Sequence, residues 1–136
     1  MALVTPNAGE LELLDKMLKD ALSSDEDYIL KLYSNDYTPD QAAVTASFTE
    51  ANFTNYAATT LTRAGWSSAA TVSNKAESSY ATQSWTCGAT GNTIYGYYVC
   101  NPSDTVLWAE KFAVSRTLAD GDVLNLTPKF SLNSEN

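Results

Sequence analysis

The apolar positions of this 136-residue chain follow two different periods. Near the start, Leu11, Leu14, Leu18 and Leu22 recur at i, i+3, i+7 and i+11, with Met17 beside them. That spacing puts one apolar stripe on a helix. Asn7-Ala8-Gly9-Glu10, just ahead, has the form of a capping box, in which Asn7 accepts from the Glu10 N–H and the Glu10 carboxylate reaches back. Glu12–Lys16 and Asp15–Lys19 add i,i+4 pairs in the favourable order. A helix is predicted near residues 8–22, ending at Ser23-Ser24, behind an extended arm from Met1 to Pro6.

From Asp27 onward the period becomes two, the period of strands. Asp27 to Tyr33 places Tyr28, Leu30 and Leu32 on one face and Ile29, Lys31 and Tyr33 on the other. Ser34 to Asp40 is a polar loop with Asn, Asp and Pro. Phe48 to Phe53 resembles one helical turn with Thr49 as its cap and both Phe residues inward. Strands are predicted at Tyr56 to Thr62, Ser67 to Ser73, Ser79 to Cys87, Thr93 to Cys100, Thr105 to Ala113 and Asp122 to Leu132. Leu124, Leu126, Phe130 and Leu132 share a face in the last of these, and Pro128 marks it as an edge strand or a broken one. Seven or eight strands, with turn signals about every ten residues, predict a mainly β fold. The expected architecture is an antiparallel β-sandwich, jelly-roll-like, carrying an N-terminal arm and short amphipathic helix. Residues 1–24 form the arm and helix of this division, and residues 25–136 the sandwich domain.

Composition narrows the chemistry. The chain has no histidine, which removes the commonest general base and transition-metal ligand and excludes Ser-His-Asp and Cys-His catalysis within one chain. The net charge is −8, and residues 1–50 hold ten acids against three bases. No basic patch suited to phosphate is visible, so no nucleic-acid partner is expected. No 18-residue apolar run is present and none of the first residues form a basic leader, so neither a membrane partner nor export is expected. The sequons at Asn52 and Asn125 carry no weight without export. Cys87 and Cys100 are too few for a zinc site. A hairpin turning at Ala89-Thr90-Gly91 would set the two out of register, so buried free thiols are expected.

Three groupings invite a functional reading. Ser24-Asp25-Glu26-Asp27 offers oxygen ligands but lacks the alternation and Gly turn of a calcium loop, and reads as a solvated linker. Glu110 lies between Trp108 and Phe112 on one strand face, a setting that raises a carboxylate's pKa; Arg116 or Lys129 would equally pair with it. Trp66, Trp85, Trp108 and the tyrosines Tyr95, Tyr97 and Tyr98 would suit a sugar-stacking platform, but such rings are more often core or subunit contact. Tyr95 and Tyr97 are expected to face one way and Tyr98 the other, leaving one face at an interface or partly covered. The expectation is no catalytic residue, no metal and no cofactor. A short amphipathic helix needs tertiary burial to be stable, supplied either by its own domain or by another subunit; on the second reading Leu11, Leu14, Met17, Leu18 and Leu22 are the partner-binding residues.

The succession GELELLDKMLKDAL, YILKLYSNDYTP, FTEANFTNYAATTLTRAGW, YGYYVCNPSDTVLWAEKFAVSRTL and DGDVLNLTPKFSL resembles a group of small tailed-bacteriophage virion proteins encoded beside the major capsid protein. The resemblance runs over nearly the whole chain and is carried by packing motifs. It implies a non-enzymatic capsid decoration or cement protein, made in the host cytoplasm and placed on the capsid surface. Its partners would be the major capsid protein and further copies of itself, as a homotrimer. The competing expectation is a host-recognition or fibre module that binds glycans through surface aromatics.

Overall fold

A computed structural model describes residues 3–18 and 26–132, and the side chains of all of these except 14–18. The protein is mainly β, with antiparallel sheets and one short helix among the described residues. The helix is α1 (Asn7–Leu18), followed by β1 (Tyr28–Tyr33), β2 (Thr59–Leu61), β3 (Ala70–Val72) and β4 (Lys75–Ser79). Then come β5 (Gln83–Thr86), β6 (Thr93–Cys100), β7 (Val106–Thr117), β8 (Val123–Leu126) and β9 (Lys129–Leu132). The expected end of the helix at residues 19–24 lies outside the described residues.

One sheet has the order β2-β1-β6-β7. The others, β3-β4-β9 and β5-β8, behave as one bent ribbon. Ser79 pairs with Lys129 and Gln83 with Leu126. Between them Tyr80 donates its N–H to the Pro128 carbonyl at 2.8 Å, and the Thr82 and Thr127 hydroxyls meet at 2.6 Å. Residues 80–82 therefore oppose only 127–128, a one-residue bulge that bends the strand and changes which positions face inward. This is how Tyr80 and Trp85, five residues apart, both reach the core. Pro128 breaks the last predicted strand in two, as expected of a residue with no ladder N–H.

The main core lies between the four-stranded sheet and this ribbon, a sandwich-like arrangement. Leu30, Leu32, Ile94, Tyr97, Val99, Leu107 and Trp108 meet Trp85, Leu124, Phe130 and Leu126 there. The opposite face of the four-stranded sheet carries a second cluster of Tyr33, Tyr98, Val106 and Ala109, covered by Ala43, Phe48 and Tyr37 from the segment after β1. β1 presents Leu30 and Leu32 to one cluster and Tyr33 to the other, the alternation its sequence predicts.

Several predicted elements take another form. Residues 48–53 are not a helical turn. Glu50 bridges Tyr33 and the Ala51 N–H donates to the Leu32 carbonyl at 2.9 Å, so this stretch runs extended along β1. Extended backbone puts residues five apart on opposite faces, so Phe48 enters the second cluster and Phe53 the main core. Between the strands predicted at Ser67 to Ser73 and Ser79 to Cys87, the connection is a two-residue turn, Ser73 (φ 50°) and Asn74 (φ 64°), the left-handed pair a tight hairpin requires, and Lys75–Ser79 is itself a strand. The hairpin expected from β5 to β6 does not form: β5 pairs with β8, and β6 lies between β1 and β7.

Candidate interaction surface

The N-terminal segment is strapped onto the outer edge of β7. Val4 and Ala109 exchange both backbone hydrogen bonds, at 2.9 and 2.8 Å. Leu3 packs against the main core and Pro6 is fully buried. The Asn7 N–H donates to the Gln41 carbonyl at 3.0 Å, and the Glu10 N–H to the Pro6 carbonyl at 2.9 Å. The Glu10 amide thus serves the helix ladder, and α1 starts one residue earlier than the Asn7 capping box implied. The extended arm is occupied with its own sheet edge from Leu3 to Pro6.

Gly9 sets how closely the helix sits. A Cβ there would lie 2.5 Å from the Leu107 carbonyl oxygen and 2.6 Å from that of Val106. No side chain fits that gap without moving backbone, so glycine brings α1 directly onto β7. Asn101, buried in the turn before β7, donates from its amide to the Glu12 carboxylate at 3.3 Å and accepts the Thr105 N–H at 2.9 Å. The helix face that carries Gly9 and Glu12 is therefore the inner one.

Leu11 points the other way and is 67% exposed. At about 100° per residue it lies opposite Gly9. Leu14, Met17 and Leu18 lie in α1 with side chains outside the description, and Leu22 lies outside the described residues. Sequence periodicity found the stripe. It missed Gly9 and Asn101, which decide which face is inward, although a Gly in a predicted helix is a signal of close approach.

The aromatic groupings are packing. Trp85, Trp108, Tyr97 and Tyr98 are all buried, and Trp66 is half-buried against Tyr80 and Trp108. Trp108 also meets Tyr28 edge-on at 5.9 Å and Phe130 at 4.8 Å. The Trp85 indole donates to the Ala57 carbonyl at 2.9 Å. Tyr95 packs with Tyr98 in the second cluster, not with Tyr97. The cause is an irregular pairing: Ile94 opposes Arg116 while Gly96 opposes Lys111, which resets the alternation within β6. Both faces are covered from within the chain, so the aromatic alternation calls for no subunit contact.

Glu110 accepts the Tyr97 hydroxyl at 3.0 Å. Its hydrogen-bond partner is thus a phenol, where the sequence suggested Arg116 or Lys129; Lys129 pairs with Glu77. Lys31, only 19% exposed, sits 3.5 Å from Glu50 and 3.7 Å from Asp104, with its ammonium 5.9 Å from the Tyr98 ring centre. Burial pulls its pKa down, but Cys100, Glu50 and Asp104 outweigh this and hold it above the ordinary value. Cys87 and Cys100 are buried free thiols in separate sheet regions. Burial pushes the Cys100 thiol up to about 11, against the pull of Lys31. Of the acidic linker, Asp27 accepts the Arg63 N–H at 3.0 Å and so starts a short turn, while Ser24 and Asp25 lie outside the described residues. Among the described residues, no cluster of three potential metal ligands forms and no helix is long and apolar enough to cross a membrane.

Comparison with known protein families and with curated protein sequences finds no match to this chain.

Proposed function

We propose that this chain is a structural protein of a tailed-phage virion, a capsid cement or decoration protein that binds the outer capsid and stabilises contacts between capsomers. The observation that carries the reading is the outward Leu11 face of α1. A helix seated through Gly9 and Glu12 presents the large apolar side chain of Leu11 to solvent, and an exposed apolar anchor on a seated helix suits insertion into a partner's groove. The resemblance to small virion proteins supplies the partner class, the major capsid protein, and the homotrimeric form. The net charge of −8 accords with the outer surface of a shell rather than its DNA-facing side. The role is non-enzymatic. The glycan-binding alternative drew on Trp85 and Trp108, whose rings are core, and no surface platform supports it.

Leu11→Asp tests the reading. The side chain is exposed, so the variant should fold and keep its thermal midpoint, while binding to purified empty capsids in co-sedimentation falls at least about tenfold, the loss expected when one anchor worth roughly 1.4 kcal/mol or more is removed. Undiminished binding by a folded Leu11→Asp chain would sink it.

A further inference from the structure

Three segments far apart in sequence meet at the start of α1. The Asn7 N–H donates to the Gln41 carbonyl at 3.0 Å, and the Asn101 amide donates to the Glu12 carboxylate at 3.3 Å. The Thr45 hydroxyl donates to the Asp104 carbonyl at 2.7 Å, and the Asp104 N–H to the Asn101 carbonyl at 3.0 Å. The helix start, the stretch 40–48 and the turn 101–105 are thus bonded to one another in turn. Each is also held from beneath. Gly9 seats α1 on β7, Ala43 and Phe48 sit in the second cluster, and Asn101 is buried. All three segments carry apolar side chains outward as well. Leu11 is 67% and Val44 51% exposed, and Ala8, Ala42, Ala46 and Pro102 of the same segments are exposed too.

The charge on these segments is one-sided. Residues 3–13, 40–48 and 101–105 hold Glu10, Glu12, Asp40 and Asp104, and no lysine or arginine. Lys31, which reaches Asp104 from β1, is shared with Glu50. We infer that the three segments dock as one surface, with Leu11 and Val44 as its two anchors, and that the groove receiving them is apolar with lysine or arginine at its rim. Anchors on backbone that is already fixed lose little freedom on binding, so their burial counts almost in full. An acidic rim repels an acidic groove and is drawn to a basic one, and that attraction acts before contact, so it speeds encounter and selects the partner. The inference rests on the capsid reading and specifies the chemistry of the capsid site.

Co-sedimentation with purified empty capsids tests both parts. Val44→Asp leaves α1 untouched and places a favoured capping residue ahead of the short turn Thr45–Ser47, so the variant should fold. Its binding should fall at least about tenfold, as for Leu11→Asp. Should it not fold, Val44→Ala carries the same test with an expected loss of about threefold. Val114→Asp is the control: Val114 is 75% exposed, at the other end of β7 from the seat of Gly9, and its variant should bind like the parent. Glu10→Lys should bind at least about threefold more weakly than the parent at ~50 mM NaCl, and the gap should close at ~1 M, where charges are screened within about 3 Å. Parent-like binding by folded Val44 variants overturns the composite surface. A Glu10→Lys chain that binds as well as the parent, or better, at low salt overturns the basic rim. In either case a Leu11→Asp chain that still loses binding leaves the capsid reading standing. If Leu11→Asp and Val44→Asp both bind like the parent, the reading and the inference fall together.

Discussion

One face of the β2-β1-β6-β7 sheet is closed by a second sheet, and the other by a loop. On the first face aliphatic and aromatic side chains from both sheets interleave around Trp108, which touches Tyr28, Trp66 and Phe130 at once. On the second it is a ring stack, with Phe48 lying parallel on Tyr98 at 4.4 Å and tilted against Tyr33 at 5.0 Å. The second face is edged with ion pairs around the loop. Lys31 pairs with Glu50 and Asp104, Lys111 with Asp36, and the Tyr33 hydroxyl donates to the Tyr37 carbonyl. A loop offers less apolar area than a sheet, and aromatic rings with polar tips close such a gap because each joins a large apolar body to a hydrogen-bonding end. The contrast is between a core that holds the fold together and a cover that fixes one loop.

The largest test of this contrast is Trp108→Ala. Removing a buried ring shared by both sheets should cost about 3–5 kcal/mol in urea unfolding. A loss below about 1.5 kcal/mol would mean the main core does not turn on this residue. Phe48→Ala, at the centre of the loop cover, should cost about 3 kcal/mol. Its effect should add to that of Trp108→Ala within about 0.5 kcal/mol, because the two rings lie on opposite faces of the sheet. Strong non-additivity would show that the clusters act as one core.

Next in size is the pH response of the second face. The Cys100 thiol, ordinarily near 9.0, is raised to about 11 in the fold. A raised pKa means the folded state holds the proton more tightly, so this stabilisation is complete below pH 9 and lost as pH rises through 11. About 2–3 kcal/mol should disappear over that window. The buried tyrosines add losses above pH 10, but in Cys100→Ala they remain, so the difference between the two proteins isolates the thiol. Equal losses would place Cys100 in water-accessible surroundings. The smallest effect is expected from Leu11→Asp, within about 0.5 kcal/mol of the parent, since an outward side chain leaves neither cluster disturbed.

Local pattern foretold the strands whose partners lie where alternation alone would put them. β1 and β6 appear within a residue of their predicted limits, and Pro128 cut the last strand as its chemistry demands. Misreadings gather at bulges. Val99 opposes Trp108 while Cys100 opposes Val106, so Leu107 is an extra residue, and the consecutive Leu107 and Trp108 both face the main core. Strict alternation had put them on opposite faces. A bulge is a mismatch between two strands, so neither strand's sequence announces it. The buried free thiols were anticipated through a β5–β6 hairpin that does not exist; they stay apart because β5 pairs with β8 instead.

The candidate surface divides the same way. The stripe beginning at Leu11 was legible because helical spacing is local. That its start faces solvent was not, because this depends on Gly9 meeting the backbone of β7 nearly a hundred residues further along the chain. Local period, proline geometry and composition were enough for the mainly β class, the helix, the break at Pro128 and the lack of histidine chemistry. Tertiary structure alone decided which rings are core, where the bulges fall, and that the arm lies on its own sheet edge. Those outcomes depend on pairing between distant segments, whose register is set by the side chains of both partners at once.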